Sequence, residues 1–206
     1  GFSMTSKLKT DVLETVSGSG TIALTNQLSG MTSASVPSGS VLQVVSAVDQ
    51  THRSTTASVT SAYIDSGFGF SITPTSASSK VLVSISLQGS ANGGTYATYR
   101  LYRSIGGVDT YISAASSTIS VTANGTAGSG FLTTHYIPID THEVNTAQHM
   151  SGSYLDSPNT TSNTTYKIFY AARPNSTAYI NRSSDGTTGD HNSHGVSTIT
   201  LMEIKG

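Results

Sequence analysis

The run Val81-Leu82-Val83-Ser84-Ile85-Ser86-Leu87 decides how this chain is read. Successive side chains of a strand point to opposite faces, so Val81, Val83, Ile85 and Leu87 share one face, with Leu82 and two serines on the other. One face is hydrocarbon and the other is mostly hydroxyl. Upstream, Val41 to Val48 reads as a well-buried strand, followed by Val59 to Ile64 and Phe68 to Ile72, then Pro74 and the turn-rich Thr75-Ser76-Ala77-Ser78-Ser79. Downstream, the runs are Tyr96 to Arg103, Thr110 to Ser113, Thr118 to Thr122, Gly130 to Ile137, His149 to Leu155, Thr165 to Ala172, Ala178 to Asn181 and Val196 to Ile204. Each is bounded by Gly, Asn, Asp, Ser or Pro. Only Thr141 to Met150 has modest helix content, and no segment holds a helical period beyond two turns. Short strands at close spacing without helices predict an all-β fold, an antiparallel β-sandwich of jelly-roll type spanning residues 41–206.

Composition agrees and narrows the function classes. Of 206 residues, 36 are Ser and 31 are Thr, while ten Lys plus Arg face eleven Asp plus Glu for a net charge of −1. Sparse, scattered cations argue against a nucleic-acid partner, which needs clustered Lys and Arg to neutralise phosphates. Cysteine is absent, so disulfides and Cys-ligated metals are excluded, and stability has to come from burial, backbone hydrogen bonds or association. No apolar run approaches the roughly 18 residues of a membrane span, so membrane insertion is not expected.

The N-terminal part has a different texture. Gly1-Phe2-Ser3-Met4 looks like a cloning remnant. Residues 5–40 carry short apolar pieces such as Ile22 and Leu24 between glycine and serine turns, too little to build a core alone. They read as an extended shaft or linker.

Five pieces in order carry a family resemblance. They are Gly39 to Val45, Ile72 to Val83, Ser153 to Pro158 with Thr164 to Lys167, Ala178 to Ser183, and Gly195 to Ile204. Together they resemble the distal, C-terminal domains of tail-fibre-like virion structural proteins of bacteriophages, notably those of marine bacteria, over nearly everything after Ser38. The resemblance implies a β-sandwich head on a thin shaft, a homotrimer located in the virion as part of the phage tail, and contact with the rest of the fibre or baseplate. Read as residues, the motifs are first structural. Asp156 and Ser157 would bond the local backbone before Pro158 stops ladder pairing, and Arg182 at a strand end would bridge to a carboxylate such as Asp156 or Glu203.

For host attachment, the useful groups are exposed aromatic and polar side chains on distal loops at one end of the sandwich, because sugars offer apolar faces to Tyr and hydroxyls to polar groups, although tyrosine is favoured on strands and each could equally be core. The candidates are Tyr96, Tyr99, Tyr111, Tyr136, His142 and His149, with a host cell-surface glycan or an outer-membrane receptor as partner. His135, His142 and His149 fall seven apart, an alignment that needs a helix which Pro138 opposes. No cofactor is expected: His191 and His194, beside Asp185 and Asp190 in a glycine-rich loop, read first as a solvated hairpin loop, with a metal ion shared on a trimer axis as the alternative. Catalysis is not expected. G-x-S-x-G and H-E-x-x-H are absent, and most of the eleven carboxylates sit at turns, although a glycosidase needs two across a cleft. Two alternatives stand beside receptor binding: a purely structural fibre or baseplate-decoration module, and a polysaccharide depolymerase. Five N-x-S/T sequons, at Asn124, Asn159, Asn163, Asn175 and Asn181, follow from the abundance of Ser and Thr.

Overall fold

The computed structural model describes residues 36–92, 95–112, 132–133, 147–184 and 194–206. The chain divides into two units, Gly1–Val36 and Pro37–Gly206. The expected remnant 1–4 and nearly all of the expected shaft 5–40 belong to the first unit and lie outside the described residues. The second unit starts slightly before Val41, because Gly39 donates its N–H to the Lys205 carbonyl at 2.8 Å and Lys205 returns one to Ser40 at 2.9 Å.

The described residues hold strands and no helix. The strands are β1 (Val41–Asp49), β2 (Arg53–Thr55), β3 (Ile64–Ile72), β4 (Lys80–Ala91), β5 (Ala97–Ile105), β6 (Val108–Tyr111), β7 (Leu132–Thr133), β8 (Gln148–Asp156), β9 (Thr164–Ala172), β10 (Ala178–Ile180) and β11 (Ser197–Ile204). β4, which contains Val81 to Leu87, is the hub of a six-stranded sheet. Along one edge it pairs with β8, from Val81↔Asp156 to Gly89↔Gln148. Along the other it pairs first with β11, from Lys80↔Ile204 to Ser86↔Thr198, and then with β10, from Gly89↔Ile180 to Ala91↔Ala178. β1 flanks β11 and β2 flanks β10. The five-stranded second sheet runs β3-β9-β5, with β6 and β7 sharing the far edge of β5. All these pairings are antiparallel, and the two sheets pack as the expected β-sandwich.

The core forms where the inward faces meet. Val81, Val83, Ile85 and Leu87 of β4 and Ile199 and Leu201 of β11 are at most 3% exposed. They join one cluster with Leu101 and Tyr99 of β5 and Tyr166 and Ile168 of β9. Truncating a buried Leu or Ile here removes transfer energy and leaves a cavity, a cost of about 2–5 kcal/mol. Gly89 is required by this packing, since a Cβ there would strike the Tyr99 hydroxyl and the end of Met150.

Three expected elements change. Val41 to Val48 forms a strand but not a well-buried one: β1 flanks β11 at the end of its sheet, and Val41, Val44 and Val48 are 53%, 54% and 66% exposed. Val59 to Ile64 is not a strand: Ser61 and Ala62 both donate to the Ser58 carbonyl, at 2.9 and 3.0 Å, making a turn, and β3 starts at Ile64. The apolar signal came from Val59, buried at 7% beneath that turn. Gln148–Met150, the end of the stretch with helix content, belongs to β8, where pairing to β4 overrides local propensity; residues 141–146 lie outside the described residues. So does Thr118 to Thr122, and of Gly130 to Ile137 only β7 is described.

Three polar knots fasten the sandwich. Glu203, 0% exposed on the inward parity of β11, accepts from Gln43 Nε2 at 2.6 Å, Thr75 N at 2.7 Å and Thr75 Oγ1 at 2.8 Å. Asn181, buried and at φ 60°, donates to the Asp49 carbonyl and carboxylate and to the Thr51 carbonyl, and accepts from Ser197 Oγ. Asp156 accepts from Arg103 at 2.9 and 3.0 Å and from the Tyr166 hydroxyl at 2.8 Å. Arg182 therefore does not make the expected bridge to Asp156 or Glu203. Both carboxylates are already engaged by other donors, and Arg182 instead bonds the Ser183 carbonyl and lies over the Tyr179 ring.

Burial alone would push the Glu203 carboxyl up, but the donors around it, with the nearby Ser79 hydroxyl, hold it below its ordinary value of 4.5. A carboxyl depressed in the folded state adds stability that is present above about pH 4.5 and lost as pH falls through the lower folded value. Glu203→Gln is expected to cost about 1–3 kcal/mol at pH 7 and to lose less additional stability than wild type between pH 5 and 3. Urea midpoints across that range check this, and parallel losses in the two proteins would refute it.

Candidate functional site

The outward face of the second sheet gathers most of its aromatic and charged side chains, and strand register explains why. Tyr102 of β5 lies opposite Tyr111 of β6 on one side and Lys167 of β9 on the other, and Arg100 lies opposite Phe169. These residues share one parity, facing away from Tyr99 and Leu101. The Tyr102 ring stacks on Phe169 at 4.0 Å between centroids and on Tyr111 at 5.4 Å. Arg100 then closes the row, its guanidinium carbon 3.6 Å from the Tyr63 centroid and 4.7 Å from that of Tyr111. The ring faces are thus largely taken by one another and by Arg100. What the half-buried row presents outward is ring edges and phenol hydroxyls, and among the described residues the Tyr102 and Tyr111 hydroxyls have no hydrogen-bond partner.

Beside the row, Lys167 Nζ bridges Asp65 at 3.1 Å and Asp109 at 3.3 Å. The Ser104 hydroxyl, and after it Lys167, outweigh burial and hold Asp109 below its ordinary value, while the two carboxylates hold Lys167 above its own against desolvation. This is a poor setting for the general acid of a glycosidase, which needs a carboxyl raised toward neutrality. Asp49 and Glu203 are likewise lowered, each by hydrogen bonds that overcome burial.

The expected attachment residues scatter. Tyr111 belongs to the row just described. Tyr96 sits half-buried immediately before β5, its carbonyl accepting from Arg173 N at 3.1 Å. His149 is exposed on the other sheet, with Nε2 2.6 Å from Ser86 Oγ. Tyr99 is a correction, because it is 0% exposed, stacks on Tyr170 and donates to the Tyr179 carbonyl at 2.8 Å. Burial, and then Tyr170, push its phenol up, so it stays a protonated donor in the core and cannot face a receptor. Tyr136, His142 and His191 lie outside the described residues, as do Asp185 and Asp190.

His194 meets a partner that sequence spacing does not suggest. Its Nδ1 is 3.0 Å from Nε2 of His52, 142 positions away, with the rings nearly parallel and 4.7 Å apart. Among the described residues no three His, Asp or Glu side chains gather to hold a metal. The sequons also find structural roles: Asn159, Asn175 and Asn181 all adopt positive φ, the left-handed conformation that asparagine tolerates best after glycine, and the buried Asn181 cannot carry a glycan.

Tyr102, Phe169 and Arg100 were not singled out from sequence. The available signal was the alternation of Arg100, Tyr102 and Ser104 against Tyr99 and Leu101, which marks an outward parity once the inward one is known. Tyr102→Ala removes the middle ring of the row and with it two stacked contacts, so a loss of about 1–3 kcal/mol is expected. Denaturant melts and reduced near-ultraviolet dichroism would record it. No protein-family model matches the chain, and no curated protein is significantly similar to it.

Proposed function

We propose that the chain is a non-enzymatic virion component, the distal domain of a bacteriophage tail fibre, which works as a homotrimer and attaches to a glycan or outer-membrane receptor on the host surface. The observation that carries the attachment role is the row Phe169-Tyr102-Tyr111 clamped by Arg100, with Lys167, Asp65 and Asp109 alongside. Sugar hydroxyls need donors and acceptors held at fixed spacing on a surface that does not have to order itself on binding. Two outward phenols, one cation bridge and two carboxylates on adjacent strands of a packed sheet offer that. The contact is made at ring edges and hydroxyls, since the ring faces are occupied. Three copies on one axis would multiply weak individual contacts by avidity. This moves the expected recognition from distal loops to a sheet face.

The saturation of the ring faces favours a second reading, in which the row only stiffens the sheet and the domain is a structural fibre or baseplate-decoration module. Labelled full-length protein applied to intact candidate host cells separates the two. Saturable binding that soluble envelope polysaccharide competes away, and that Tyr102→Ala with Tyr111→Ala weakens at least tenfold while β-sheet dichroism persists, supports attachment. An assembled wild type with no saturable binding to any permissive host leaves the structural module. Release of reducing ends from that polysaccharide would displace both in favour of a depolymerase.

A further inference from the structure

The two outward faces of the sandwich differ in a way that a domain solvated on both sides does not require. The face of the second sheet carries Arg100, Lys167, Asp65 and Asp109. The opposite face, over β8, β4, β11 and β1, carries no charge among its central side chains. Register lays it out in rows across the four strands. One row is Leu155, Leu82, Met202 and Val44. The next is Ser153, Ser84, Thr200 and Ser46, and the third is Ser151, Ser86, Thr198 and Val48. Among the described residues, charges on this face appear at the margins, with Lys80 at one end and Arg182 over Tyr179 at the other. Val44, Val48 and Leu155 are 54%, 66% and 51% exposed, so large apolar side chains stand in solvent at both the start and the finish of these rows.

We propose that a second copy of this chain covers this face; the proposal rests on the homotrimer reading and assigns the surface through which its subunits meet. Three observations favour a like partner. First, the face has no charge to complement and none to strand, so apposing it to itself leaves no buried unpaired ion. Second, three of the seven hydroxyls in these rows already have partners within the face, which lowers the cost of removing water from them: Ser84 Oγ lies 3.1 Å from Ser153 Oγ, and Ser86 Oγ lies 2.6 Å from His149 Nε2. Third, the relief is self-complementary. The small residues Ser84, Ser86, Ser151, Gly152, Ser153 and Thr200 border a shallow trough of about 260 Å³, and the Leu155 to Val44 row forms a ridge beside it. The ridge of one copy can lie in the trough of the next. The area is sufficient: four strands about 4.8 Å apart and about eight residues at 3.4 Å each give roughly 500 Å² in projection. Three such faces, each meeting both neighbours around one axis, bring together roughly 1,500 Å² in all, against the roughly 1,000 Å² that a specific association needs.

Light scattering on the full chain at micromolar concentration tests this. Wild type is expected at a multiple of 21.3 kDa, Ser84→Lys with Thr200→Lys at the single-chain mass with β-sheet dichroism kept, and Ser71→Lys, on the outward face of the other sheet, at the wild-type mass. Val44→Glu, at a position already exposed, gives the same reading if the double lysine variant unfolds. A single-chain wild type, or an assembled mass untouched by face charges, overturns the proposal. The outcomes also separate it from the reading beneath it. A three-chain wild type indifferent to the lysines rejects the face and keeps the trimer, whereas a two-chain wild type broken by them keeps the face and rejects the trimer.

Discussion

Everything in this fold depends on β4 being paired along both edges while one of its faces is sealed. Val81, Val83, Ile85 and Leu87 supply the densest run of hydrocarbon in a chain that is only 35% hydrophobic, and β4 places that run at the centre of its sheet. β8 on one side and β11 followed by β10 on the other satisfy its backbone groups, so burial of the strand leaves no ladder donor or acceptor stranded. The second sheet then has one flat apolar surface to pack against. A light composition suffices because in β4 and β11 the core positions are filled by Val, Ile and Leu while Ser84, Ser86, Thr198 and Thr200 stand outward.

Polar groups inside the sandwich set how that packing is registered. Glu203 ties the end of β11 to β1 and to the turn before β4, Asn181 ties the exit of β10 to the β1–β2 turn, and Asp156 ties the end of β8 across to β5 and β9. Each sits at the end of a strand, where ladder hydrogen bonding runs out and a side chain takes it over. A slip of two residues would preserve the apolar parity but leave these groups unpaired in the interior, and that penalty makes one register far better than its neighbours.

Much of the fold was legible in the alternation of β4, β5, β9 and β11, because each has one face that cannot remain in water. In β11 the pattern gave two competing faces, Ile199 and Leu201 against Val196, Met202 and Ile204, and pairing with β4 selects the first even though it brings Glu203 inside. The candidate site was far less legible. Tyr99 and Tyr102 are the same residue type three positions apart in the same strand, one in the core and one outward, and only strand parity separates them. His52 and His194 share no local pattern at all, since their meeting follows from β1 and β11 lying side by side. Composition foretold a hydroxyl-rich surface but not that the centre of one face would be without charge.

The position of β11 between β4 and β1 also governs the order in which the sandwich can be made. Among the described strands, the first strand of the domain has no neighbour in its sheet until β11 is present, because Val44 pairs with Met202 and Val48 with Thr198. During synthesis, β1 through β10 would emerge from the ribosome with a gap running through the middle of one sheet and the core beneath it open. The pairing of β1 and of one edge of β4 can therefore be completed only after Ser197–Ile204 has left the exit tunnel. Until then β1 is an unprotected strand edge of nine residues, the kind of surface that chaperones hold and that neighbouring nascent chains can capture.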